Sequence, residues 1–112
     1  MNIGIDIDGT ITGMPEFFAA LSRAFKVMGH KVYVITLRPE FIREETMADL
    51  KTYGIRYHKL YMCDQNIDLK TSVIKQLSID VMFDDSLGVM NKLSMNENIK
   101  RLWIMPAGIN IE

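Results

Sequence analysis

The segment Asp6-Ile7-Asp8-Gly9-Thr10, close to the start of the chain, combines residue types that can do chemistry. Side chains two apart on a strand share a face, so Asp6 and Asp8 project the same way from a strand tip. Two carboxylates that close repel unless a cation lies between them or one stays protonated. Gly9 lets the chain turn sharply straight after them. Thr36 follows the apolar run 32–35, where its hydroxyl can hold an oxygen of a phosphoryl group or, equally, cap the next helix. Lys70 stands in what reads as the first turn of a helix, where the helix dipole mildly disfavours a cation. A bound anion facing it accounts for that placement; a solvated lysine is the plainer alternative. Asp84 and Asp85 close the apolar run 81–83. Adjacent acids after a buried run are costly unless they bind metal or cap a helix.

Together these residues suit phosphoryl transfer. Mg²⁺ takes hard oxygen ligands, a few carboxylates and a substrate phosphate. A carboxylate can attack phosphorus to form an aspartyl phosphate, and a second acid can protonate the leaving oxygen. The reaction asks mainly for positioning and charge neutralisation, which Mg²⁺ and Lys70 would supply.

The elements that must position these groups follow from hydrophobic periodicity. Ile3, Ile5 and Ile7 alternate as a first strand. Pro15 suits a helix start, and Phe17, Leu21, Ala24, Phe25 and Met28 recur at helical spacing up to Gly29. The run 32–35 reads as a strand buried on both faces. Pro39 opens a second helix with Ile42, Met47, Leu50 and Tyr53 on one side and Gly54 at its end. Residues 55–62 alternate like an edge strand. Asp68 is placed to cap a helix carrying Leu69, Val73, Ile74 and Leu77. A strand over 81–83, a short helix through Leu87, Met90 and Leu93, and a strand over 101–105 stopped by Pro106 and Gly108 complete the pattern. Strand–helix alternation implies right-handed crossovers and a parallel sheet covered on both faces. Ligands bind such sheets beyond the carboxyl ends of the strands, where the acids, Thr36 and Lys70 gather.

The ordered set Asp6-Ile7-Asp8-Gly9-Thr10, Thr36, Lys70 and Asp84-Asp85 resembles the four motifs of the haloacid dehalogenase superfamily, over nearly the whole chain. The resemblance implies a three-layer, Rossmann-like α/β fold with a five-stranded parallel sheet in the order 5-4-1-2-3. It implies that Asp6 is the nucleophile and Asp8 the general acid, then the base for water. Thr36 and Lys70, with Gly9 and Thr10, would hold the phosphoryl group. Mg²⁺ would lie against Asp6, the Asp8 backbone carbonyl and the Asp84/Asp85 pair. Asp85 is the better match to the metal-binding acid, with Asp84 acting through water. An acid at position 8 favours a phosphatase or phosphotransferase over a dehalogenase.

Family members usually carry a cap domain. Here one helix and one strand fill the interval from Asp8 to Thr36, and again from Lys70 to Asp84, leaving no room for one. The flap after the first motif is cut to Ile11-Thr12-Gly13-Met14. An open site cannot by itself enclose a small substrate or exclude water. The substrate is then large, or a neighbouring copy in a homo-oligomer supplies the cap, or turnover is slow and unspecific. Arg38, beside Thr36, can bind a second phosphate. The Thr36-x-Arg38-Pro39 stretch is similar to the deoxyribonucleotidase branch. The first motif and the paired acids are also similar to the phosphatase domain of phage-type polynucleotide kinase. A nucleotide or other small phosphate ester is the first expectation, and a polynucleotide end or phosphoprotein the alternative.

The chain has 112 residues, 14 acidic and 13 basic side chains and a net charge of −1. That length fits one domain over residues 1–112. The balanced charge gives no support to tight polynucleotide binding. No apolar run reaches the length of a membrane span. Without a secretion signal, and with Cys63 alone, the cytoplasm is the expected compartment. A response-regulator receiver domain, with Asp64 as phosphoacceptor and Ser86 as its hydroxyl, is the main rival, but it leaves Lys70, Asp84 and Asp85 unexplained. Histidines 30 and 58 carry no signal, and Trp103 reads as core.

Overall fold

The computed structural model describes residues 1–93 and 98–105. Strands β1 (Asn2–Ile5), β2 (Lys31–Thr36), β3 (Lys59–Met62), β4 (Val81–Asp84) and β5 (Lys100–Trp103) alternate with helices α1 (Pro15–Val27), α2 (Arg43–Tyr53), α3 (Ile67–Gln76) and α4 (Leu87–Leu93). Every strand pairing is parallel. The order is β3-β2-β1-β4-β5, the expected 5-4-1-2-3 read from the other edge. Consecutive residues of β2 point to opposite faces. Val32 and Val34 join Phe18 and Leu50 in one core layer, while Tyr33 and Ile35 join Ile74 and Val89 in the other. A strand buried on both faces therefore reads as an unbroken apolar run.

The helices form where expected, with some faces rotated. Pro15 opens α1 as its first helical residue. The buried face carries Phe18, Ala19 and Ser22, whereas Phe17 and Met28 are 52% and 72% exposed. Either of two adjacent phenylalanines satisfies the helical period, and the position of the sheet selects Phe18. Pro39 is extended and leads into a 3₁₀ turn over Glu40–Ile42, so α2 starts at Arg43. Thr46 and Leu50 are its buried residues, and Met47 faces out. Gly54 ends α2 in the left-handed region at φ +76°, a conformation that costs an L side chain about 1–2 kcal/mol.

The cap of α3 is Asn66, not Asp68. The Asn66 side chain accepts a hydrogen bond from the Leu69 backbone N–H at 3.0 Å, and Asp68 pairs with Lys92 of α4. The edge strand is confined to Lys59–Met62, shorter than the span 55–62. Trp103 is not core: it is 37% exposed on β5, at the sheet edge. The stop at Pro106 and Gly108 lies outside the described residues. Among the described residues no helix is long and apolar enough to cross a membrane.

Candidate active site

β1 and β4 are neighbours in the middle of the sheet, and the register Ile5↔Phe83 sets Asp6 beside Asp84. The Asp6 backbone N–H donates to the Phe83 carbonyl at 3.0 Å, fixing the strand tips together. Thr36 closes β2 on the other side of β1, with its side chain buried. Side chains on a helix lean toward its N-terminus, so Lys70, in the first turn of α3, reaches back over the strand tips. Its Nζ lies 2.7 Å from Asp6 Oδ1 and 2.8 Å from Asp84 Oδ2, with the residue 1% exposed. A solvated lysine is excluded.

The turn over Ile7–Ile11 shapes the rest. Thr12 N–H closes it by donating to the Ile7 carbonyl at 3.1 Å. Gly9 sits at φ +83°, and a Cβ there would collide with the Asp85 carboxylate. Both its conformation and its neighbour therefore demand glycine. Thr10 is fully buried and donates its hydroxyl to Asp6 Oδ2 at 3.1 Å. Asp84 Oδ1 accepts from the Ser86 N–H at 2.9 Å. Its Oδ2 is buried and receives no directed hydrogen bond, although it faces the Lys70 ammonium as an ion pair. Asp85 is half-buried, and its carbonyl accepts from Trp103 Nε1 at 2.9 Å.

Asp6, Asp84 and Asp85 offer oxygens that all lie within 4.8 Å of one another. Three carboxylates and one ammonium leave a formal charge of −2, which a divalent cation would cancel. The same crowding of charge and burial shifts the Asp6 and Asp84 carboxyl groups upward. Burial pushes Asp6 up to about 6 against the pull of Lys70, and nearby Asp85 pushes it further. Burial and then Asp6 likewise raise Asp84. Burial works against the Lys70 ammonium, yet Asp6 and Asp84 outweigh it and hold lysine above its ordinary value. The three clustered carboxylates and their excess negative charge fit a hard divalent cation such as Mg²⁺.

Asp8 does not join this cluster through its side chain. It is 63% exposed and held by Arg38 in a bidentate pair, Nε to Oδ2 at 3.0 Å and Nη2 to Oδ1 at 2.9 Å. Arg38 also donates to Asp49 Oδ2 at 2.8 Å and Thr46 Oγ1 at 3.2 Å, and its backbone N–H donates to Thr36 Oγ1 at 3.1 Å. These carboxylates, Asp8 first, raise the guanidinium pKa above its ordinary value. Asp49 and Thr46, one helical turn apart on α2, were not legible as site residues, because nothing in their spacing marks them as partners of Arg38. Cys63 is fully buried one residue past β3, and burial pushes its thiol up to about 11.

No protein-family model and no curated protein matches the chain. Solved structures do, two of them as follows. A chain of the Pnkp1/Rnl/Hen1 complex aligns at 20% identity with a TM-score of 0.77, over 96% of this chain and 47% of that one. A chain of the Pnkp1/Rnl/Hen1 RNA repair complex aligns with the same identity and TM-score, over 96% of this chain and 43% of that one. This protein thus spans about half the length of the chains it matches. At that identity the likeness is one of fold: an α/β domain with a five-stranded parallel sheet in Rossmann-like order, consistent with the haloacid-dehalogenase-like topology expected from the motifs.

Proposed function

We propose that this capless fold houses a Mg²⁺-dependent phosphomonoesterase that works through Asp6 and acts on phosphorylated polynucleotide ends. The observation that carries the reading is the buried Asp6–Lys70–Asp84 cluster, with Asp85 beside it, at the carboxyl edge of the sheet. Lys70 lies against Asp6 and, with Thr36, would hold phosphoryl oxygens, while Gly9 and Thr10 would shape the floor. Asp6, Asp84, Asp85 and the Asp8 carbonyl would hold the metal, which when bound shields negative charge between carboxylate and phosphate.

An Asp6 oxygen attacks phosphorus, the ester P–O bond breaks, and Asp8 gives its proton to the leaving oxygen. Asp8 then takes a proton from water as that water attacks phosphorus, the bond from phosphorus to Asp6 breaks, and inorganic phosphate leaves. Arg38 must yield Asp8 for it to carry a proton, and an incoming phosphate is the natural competitor for that guanidinium. Asp49 and Thr46 position Arg38 and receive it in either state.

The open edge supports a large substrate over a small enclosed one, since among the described residues no element is inserted to cover Asp8 and Gly9. The likeness to a chain from an RNA repair complex points the same way. The test compares kcat/KM for 3′- and 5′-phosphorylated oligonucleotides with that for the matching mononucleotides. A preference of at least tenfold for an oligonucleotide end is expected. A preference for mononucleotides would return the substrate to a small phosphate ester.

A further inference from the structure

Away from the catalytic edge, three adjoining cavities of about 210, 350 and 410 Å³ run along the α1–α2 side of the molecule. Arg56 lines the first and second, Lys51 the second and third, and Tyr57 the first and third, so they adjoin as one groove. Arg23 and Lys26 come to it from α1, Lys31 from the start of β2, Lys51 from α2, and Arg56 from the lead-in to β3. No aspartate or glutamate lines any of the three. Every ion pair among the described residues uses Arg38, Arg43, Lys70 or Lys92, so none of the five groove cations is neutralised. Lys26 and Lys51, in the last turns of α1 and α2, offset helix carbonyl ends. Arg23, Lys31 and Arg56 have no such use.

The net charge of −1 thus conceals a segregation of charge. Acids gather at the carboxyl edge of the sheet, and unpaired cations line this groove. The groove lies toward the amino ends of β2 and β3, where Lys31 opens one strand and Arg56 precedes the other, with Lys51 in the last turn of α2. We propose that the groove is a track for the sugar–phosphate backbone of a single-stranded polynucleotide. Five cations with no acid among them suit a chain of phosphates better than one anion, and half-buried Tyr57 offers a ring for base stacking. This deepens the reading above by naming what holds the body of the substrate, and it is tested apart from catalysis.

The experiment uses a fluorescein-labelled dodecamer RNA without a terminal phosphate, in EDTA, followed by anisotropy. The wild-type chain is expected to bind with a log affinity against log salt slope of about −3, as for four or so single-strand phosphate contacts. Lys31→Glu/Arg56→Glu should weaken binding at least tenfold and flatten the slope, while Lys75→Glu on α3 should change it less than twofold. All these side chains are exposed, and circular dichroism confirms the fold of each variant. Equal weakening by Lys75→Glu, or none by the groove variant, would overturn the proposal. So would tighter binding of a poly-glutamate peptide than of RNA, which would give the groove to an acidic protein segment. With no metal and no reacting phosphate present, the outcome is independent of whether Asp6 is a nucleophile.

Discussion

Lys70 lies between two carboxylates at 1% exposure. Removing one member of a buried ionic cluster strands the others and typically costs about 3–5 kcal/mol. Lys70→Met should therefore lower unfolding free energy by roughly that amount in urea titrations. A loss below about 1 kcal/mol would mean the carboxylates find other compensation. Cys63 gives a second test at this scale. Its thiol is pushed from 9.0 up to about 11 by burial. The folded state therefore holds that proton across a window where the unfolded chain has released it. Stability from this group is full below pH 9.0 and declines as pH rises toward about 11. Iodoacetamide should leave folded Cys63 unlabelled at pH 8 and label it in denaturant; labelling of the folded chain would contradict its burial. Asp6, Thr36, Lys70 and the Asp84/Asp85 pair were legible from sequence because each ends a strand or opens a helix. Asp49 was not, because its role depends on where Arg38 points.

Element order followed the hydrophobic pattern closely, while the start of α2, the extent of the edge strand and the helix faces followed it less. Phe17 and Phe18 are adjacent, and only the sheet's position decides which one is buried. Asn66 and Asp68 both suit a cap by type, and backbone geometry selects Asn66. Two glycines separate element stability from site geometry. Gly54→Ala places a Cβ at φ +76° and should cost about 1–2 kcal/mol of stability with little change in turnover per folded molecule. Gly9→Ala carries the same backbone cost and also drives the new methyl into Asp85, so it should remove turnover as well. Activity in Gly9→Ala comparable to that in Gly54→Ala would show that Asp85 need not stay where it is.

Strand order is a whole-molecule property that the family resemblance implied and the sheet bears out. Strand–helix alternation by itself gave a parallel sheet with right-handed crossovers, not the order of its strands. Charge distribution was not readable in the same way, because a total of −1 is the sum of an acidic edge and a basic groove. Among the described residues no cap covers the catalytic edge, and Phe41 and Leu87, just beyond β2 and β4, are 88% and 54% exposed. The most direct test of the central claim is phosphate release from a 3′-phosphorylated oligonucleotide by the wild-type chain and by Asp6→Asn, each with Mg²⁺ and with EDTA. The account predicts release by the wild type with Mg²⁺ alone, and a loss of roughly 1,000-fold or more in Asp6→Asn with its fold intact. Release that persists in EDTA, or in Asp6→Asn, would contradict it.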